Sequence, residues 1–158
     1  MDPFAFRQVC GRFATGVTVI TALDGEGVPS GMTANSFASV SLDPPLVSAA
    51  IDLNASTHAV LLSAPRFAIN ILAAHQETLS RHFASEQANR FDGVDWHHGL
   101  AKQVLLDGAL AHIICERWST VAAGDHTILI GRVIGGDAAD HGTPLLYYRG
   151  GYASPQFP

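Results

Sequence analysis

The residues able to do chemistry fall in four short runs of a 158-residue chain. The densest is Gly31-Met32-Thr33-Ala34-Asn35-Ser36-Phe37-Ala38-Ser39-Val40-Ser41-Leu42-Asp43-Pro44-Pro45, where small hydroxyls and one amide stand together with no charge before Asp43. Such a run is either a turn with Asn35 as turn former, or a cradle of hydroxyls and backbone N–H groups for a flat, polar ligand. Asn54-Ala55-Ser56-Thr57 precedes a helical pattern. It reads as an ordinary N-cap, or as a phosphate site, because unpaired N–H groups and the helix dipole both favour an anion. Arg81, in a later helical pattern, is either the matching cation or a solvated surface arginine. Gly124-Asp125-His126 puts an imidazole at a turn between two long apolar runs, half-exposed or facing a planar ligand. Leu145-Leu146-Tyr147-Tyr148-Arg149-Gly150-Gly151-Tyr152 is an edge strand or an aromatic cover.

What is missing narrows the chemistry. No G-x-G-x-x-G opens a helix, no G-x-x-x-x-G-K-[ST] occurs, and no G-x-S-x-G elbow is present. These gaps argue against a Rossmann unit, a P-loop and an α/β-hydrolase. The eight histidines lack H-E-x-x-H, and Cys10 and Cys115 belong to no C-x-x-C pair, so no metal site is expected. His97 and His98 are adjacent, diverge on an extended chain, and read as a solvated loop.

The elements that must position these runs follow from periodicity. Asp2-Pro3 starts a helix, with Phe6, Val9, Cys10 and Phe13 at helical spacing up to a stop at Gly16. Strands are expected over Val17–Leu23, Val28–Thr33, Phe37–Leu42, Leu46–Leu53 and Arg66–Ile71. A short helix is expected over Asn54–Ser63, capped by Ser56 or Thr57, and another over His75–Ser85. Glu86–Lys102 reads as loop. Two long strands, Ala109–Val121 and His126–Gly135, turn at Ala123-Gly124-Asp125, and Leu145–Tyr148 is the last strand. Strands without βαβ alternation point to an antiparallel barrel or sandwich of the α+β, mainly β class.

Composition sets the outer bounds. Apolar residues make up 47% of the chain, enough for one sizeable core, and 1–158 is expected to be a single domain. Nine Lys and Arg against 14 Asp and Glu give −5, with no basic run, which excludes binding to nucleic acid or to an anionic membrane by charge. Charged residues are only 15%, a sign of surface covered in an oligomer. Two distant cysteines, no secretory leader and no long apolar stretch suit a cytoplasmic protein.

Phe13-Ala14-Thr15-Gly16-Val17-Thr18-Val19-Ile20-Thr21, Gly31 to Phe37 and Ser39 to Val47 together resemble the short-chain flavin reductase family. Asn70-Ile71-Leu72, Leu79-Ser80 with Phe83-Ala84, Gly124-Asp125-His126, Leu146-Tyr147-Tyr148 and Gly150-Gly151-Tyr152 agree in order and spacing, so the likeness covers nearly the whole chain. The resemblance implies an antiparallel six-stranded FMN-binding split β-barrel with a few flanking helices, a homodimer, and NAD(P)H:flavin oxidoreductase activity. FMN or FAD would be reduced by NADH or NADPH, often for a partner flavin-dependent monooxygenase. It further implies that Thr33, Ala34, Asn35 and Ser36, extended by Ser39, contact the isoalloxazine and ribityl chain. Ala50 lies on a strand of small residues that lets the ring approach. Ser56 and Thr57 hold phosphate with Arg81, His126 sits on the nicotinamide side, and Tyr148 approaches the flavin. A chain poor in nucleophiles and paired carboxylates suits this chemistry, because the cofactor carries the reaction and the protein holds two rings together. The alternatives are a flavin- or haem-binding split barrel without catalysis, and an interaction module whose hydroxyl runs are only turns.

Overall fold

The structure is a computed structural model and describes residues 1–153 and 155. Helix α1 (Pro3–Cys10) begins where the sequence places it: Asp2 Oδ1 accepts the Phe4 and Ala5 N–H groups, both at 3.0 Å, with Pro3 in the first turn. It ends at Gly11 rather than Gly16. Gly11 N–H closes on Arg7 O, and Thr15–Gly16 already form strand β1.

Strands β2 (Thr18–Leu23) and β3 (Pro29–Ala34) make a hairpin whose turn is held by Asp24, which accepts from Glu26 and Val28 N–H. Strands β4 (Ala38–Leu42) and β5 (Pro45–Asp52) make a second, with Leu42 opposite Pro45. Helix α2 (His58–Ser63) is short, and its N-cap Thr57 makes no capping bond through its side chain, against expectation. Strand β6 (Arg66–Ile71) leads through a 3₁₀ turn to helix α3 (Glu77–Phe83). Strand β7 (Trp96–His98) then pairs with β8 (Val104–Leu106). The stretch expected as loop therefore contains a strand, and His97 Nδ1 pairs with Asp107 at 2.6 Å. The long strands β9 (Ala111–Ala123) and β10 (His126–Ala138) follow, then β11 (Leu146–Tyr148) and an unforeseen β12 (Gly151–Ala153).

The protein is mainly β with few helices. Seven strands form the main antiparallel sheet in the order β3-β2-β6-β9-β10-β5-β4. This corrects the expectation of a six-stranded barrel: the main sheet has seven strands, and its hydrogen-bonded order is open, with β3 and β4 as its edges. Yet those edges are joined only by Asn35–Phe37, a link that reaches roughly 14 Å at full stretch, so the sheet has to curl. The reason it does not close lies at Ser36. The β4–β5 register begins at Ala38↔Ser48, because the chain coming from β3 through Asn35–Phe37 has not yet joined β5 at residue 50. Only the Ser36 hydroxyl reaches across, donating to Ala50 O at 3.1 Å and accepting from Ala50 N–H at 2.9 Å.

Ile20, Val47, Ile51, Leu61, Phe67, Ile69 and Leu129 fill the inside of the curl. Val17, Val19, Leu72, Phe83, Leu106 and Leu145 form a second cluster under α3 and β11. Between them lies Asn70, which has no exposed surface. Its amide donates to Val19 O and Thr21 Oγ1, and its carbonyl accepts Leu106 N–H at 2.8 Å, tying β6 to β2 and β8. No helix among the described residues is long and apolar enough to cross a membrane.

Candidate functional site

Three adjoining clefts make one trough along the end of β3. The first, about 210 Å³, is lined by Val17, Thr33, Ala34, Asn35, Ala84, Tyr147 and Tyr152. It shares Thr33 and Ala84 with a larger one of about 560 Å³, which adds Asp52, Asn54–Ser56, Glu86 and Arg90. The third, about 330 Å³, shares Ser56, Glu86 and Arg90, and adds Ser30, Gly31 and Thr57. Each lies within or near the range of small-molecule sites.

The two hydroxyl runs of the sequence thus meet across one groove. Thr33 Oγ1 donates to Ser80 O at 2.6 Å, which fixes its rotamer and leaves its lone pairs free to accept. Ala34 is buried and takes Thr18 Oγ1–H on its carbonyl. Asn35 is exposed, and its amide has no partner among the described residues. Ser36 and Ala50 are brought together, but they satisfy each other across the seam. Ser39 is exposed on β4 and lines none of the three clefts.

Of the residues expected to hold phosphate, Ser56 is exposed and Thr57 buried. The structure turns Arg81 away from them: its guanidinium makes two bonds to Glu77 Oε1, at 2.9 and 2.8 Å, and lies 4.6 Å from the Tyr152 ring centre. Arg90 takes the position instead. Its Nη1 donates to Gly31 O and its Nη2 to Ser56 Oγ, both at 3.1 Å, which anchors the head of the side chain. Arg90 Nε and Thr57 Oγ1 are buried with no hydrogen-bond partner. Two orphaned buried groups beside a guanidinium are what an anion would satisfy, and a flavin's phosphate fits that donor set. With only six residues in α2, the arginine carries this argument better than a helix dipole. No motif marks Arg90; its one sequence signal is being the sole cation in Glu86–Asp92.

Aromatic cover comes from Tyr147 and Tyr152, whose ring centres are 5.4 Å apart in edge contact, with Tyr152 OH 2.8 Å from Ser80 Oγ. Tyr148, the residue implied by the resemblance, alternates to the opposite face of β11 and lines none of these clefts. His126 stands directly across from Asp52 in the β10–β5 pairing; Asp52 lines the larger cleft, but His126 itself lines none of the three. Its Nδ1 lies 2.7 Å from Asp125 Oδ1, and that hydrogen bond lowers the Asp125 carboxyl below its ordinary value. The trough lining thus combines hydroxyls, an amide and one guanidinium, with the Asp52 and Glu86 carboxylates also along it. Among the described residues no cluster of His, Cys, Asp and Glu suits a metal ion.

Residues 10–156 match the family described as flavin reductase like domain. A protein of Rhizobium meliloti named probable flavin reductase is 43% identical over 155 residues, which are 98% of this chain and 50% of that protein. This chain therefore spans half of that relative's length. The reductase subunit HsaB of a flavin-dependent monooxygenase from Rhodococcus jostii is 40% identical, over 96% of this chain and 77% of its own. Among solved structures, the NADH:FAD oxidoreductase SgcE6 of Streptomyces globisporus, in complex with NAD and FAD fragments, superposes with a TM-score of 0.91 at 41% identity. That match covers 99% of this chain and 93% of the other.

Proposed function

This chain belongs to the flavin reductase like family, and from that membership and the trough we propose that it is an NAD(P)H:flavin oxidoreductase working on FMN or FAD. The observation that carries the reading is the trough itself, in which Thr33–Asn35 and the Ser56–Arg90 pair line one continuous groove. A bound flavin supplies the chemistry, accepting a hydride from reduced nicotinamide.

The protein's own residues bind, orient and shield. Asn35 and Thr33 meet the polar edge of the ring system, while Ala34 and Ala50 leave room for its approach. Ser56, Thr57 and Arg90 hold the phosphate, a role that passes to Arg90 from the Arg81 of the resemblance. Tyr147 and Tyr152 keep water from one side of the groove, where exclusion strengthens every polar contact. His126 positions the nicotinamide, with Asp125 orienting its ring. We read the curled seven-stranded sheet as a split barrel and residues 1–158 as one domain.

The partner we propose is a flavin-dependent monooxygenase that takes up the reduced flavin. A homodimer is supported by outward apolar side chains on β4 and β9, where Leu42 is 96% and Trp118 54% exposed. Two unpaired thiols, Cys10 and Cys115, suit the reducing cytoplasm. The test is an assay of NADH and NADPH oxidation with FMN, FAD and riboflavin. Flavin-dependent loss of the 340 nm absorbance is expected, on the order of 1–1000 turnovers per second. No oxidation with any pair removes the reading. Tight flavin retention without turnover would make the protein a carrier.

A further inference from the structure

We propose that a second cleft, on the other side of the β11–β12 turn, binds the phosphorylated end of a nucleotide, with Arg7, Arg12 and Arg149 gripping the phosphate and Phe4 facing the base. The cleft, about 410 Å³, is lined by Phe4, Arg7, Gln8, Arg12, Arg149 and Gly150, and no carboxylate is among them. The chain carries a net charge of −5, yet three of its nine cations converge here. Among the described residues none of the three has a side-chain partner. By contrast Arg66 and Arg132 share Glu116, Arg81 holds Glu77, Arg90 holds Ser56 and Gly31, and Arg117 holds Leu62 O. Three guanidiniums around one hollow repel one another, and an anion between them removes that cost.

The backbone builds the cluster deliberately. Arg149 N–H donates to Gly11 O at 2.9 Å, and Gly11 N–H donates to Arg7 O at 2.9 Å, so the end of α1 and the β11–β12 turn are locked together. A Cβ on residue 11 would lie 3.5 Å from Arg149 Cα and 2.9 Å from Arg7 O, and glycine permits that approach. Arg149 adopts φ 53°, in the left-handed region that a non-glycine residue enters at a cost, and Gly150 follows at φ 79°. The negative end of the α1 dipole lies close by, but its Arg7 and Gly11 carbonyls are already occupied by N–H groups. Phe4 is 67% exposed beside the arginines, a ring free to stack on a base, and Gln8 adds an amide. A guanidinium fork matches phosphate geometry, and no carboxylate lines the cleft to compete.

The site is separate from the trough and does not depend on the flavin reading. Calorimetric titration of FMN-saturated protein at low salt, with inorganic phosphate, 5′-AMP and 2′,5′-ADP, tests it. The expected result is one site per chain for 2′,5′-ADP, weakened about tenfold or more in Arg12→Gln and again in Arg149→Gln. Phe4→Ala should weaken both nucleotides and leave inorganic phosphate unchanged. Binding of 2′,5′-ADP well above 5′-AMP identifies the 2′-phosphate of NADPH as the source. Equal binding identifies any nucleotide phosphate. No binding at millimolar ligand overturns the proposal. So does binding that FMN displaces, or binding that survives the arginine changes. Loss of dimer mass in Arg149→Gln, with no ligand uptake by the parent protein, shows the cluster to be a subunit contact and also overturns it. Melting curves of each variant separate lost binding from lost folding.

Discussion

Asn35 and Ser36 are neighbours in sequence with opposite duties. The Asn35 amide is uncommitted at the cleft, whereas the Ser36 hydroxyl is used up on Ala50. Asn35→Ala should therefore weaken flavin binding about tenfold and leave the melting temperature unchanged, since a neutral hydrogen bond contributes about 0.5–1.5 kcal/mol. Ser36→Ala should lower the melting temperature by a few degrees, about 1 kcal/mol at an exposed seam. Arg90→Gln should weaken FMN by about tenfold and leave riboflavin, which lacks the phosphate, unaffected; flavin-fluorescence quenching reads both. Equal losses for the two flavins would move the phosphate elsewhere. Burial pushes the Cys115 thiol up to about 12, so it stays protonated and inert, while Cys10 is exposed. One alkylation per native chain, rising to two on unfolding, is the expected mass-spectrometric outcome. The Thr33–Asn35 side of the trough was legible in sequence because its residues are consecutive. Arg90 was not, because its partners Gly31 and Ser56 lie 59 and 34 positions away and no spacing rule links them.

At the scale of elements, the strands that alternate cleanly were the readable ones. In β5, Val47, Ala49 and Ile51 are buried in strict alternation, as the sequence shows. Strands β7 and β12 have three residues each, too few for a period to register. Helix α1 was overextended because Phe13 keeps helical spacing with Phe6 and Val9, although all three face solvent. Asn70 ties three strands together, and Asn70→Ala would leave Leu106 N–H unpaired in the core and remove the amide that donates to Val19 O and Thr21 Oγ1. A loss of about 2–4 kcal/mol is expected, lowering the melting temperature by roughly 5–15 °C. On the outer face, Glu116 on β9 accepts from Arg66 at 3.2 Å and Arg132 at 2.6 Å, joining β6 and β10. Those bonds, Arg132 first, hold its carboxyl below the ordinary glutamate value near 4.5. The stabilisation is complete above that value and fades as pH falls through the lowered one. Glu116→Gln should flatten the melting-temperature profile on the acid side and change its slope little near neutrality.

For the molecule as a whole, the class was legible and the closure was not. The mainly-β character follows from local patterns, but the strand number does not, since β7 and β12 were not read and the main sheet has seven strands instead of six; nor does anything in the sequence say which edges meet, because the seam is made by a single side chain. The outward Leu42 and Trp118 bear on assembly. Trp118→Arg and Leu42→Asp, measured separately by sedimentation equilibrium, should each shift the proposed dimer toward monomer with the fold kept. An unchanged dimer in both would exclude these strands from the contact. The Ser36–Ala50 contact has a consequence for time-resolved work. Strand β5 has β10 on its other side, but at residue 50 its near side is guarded by one alcohol instead of a neighbouring ladder. Deuterium should enter the Ala50 amide faster than the Val47 amide deep in the same strand, and ligand in the adjoining groove should slow that entry. One backbone proton thereby becomes a clock for the gap between the two edges of the curled sheet.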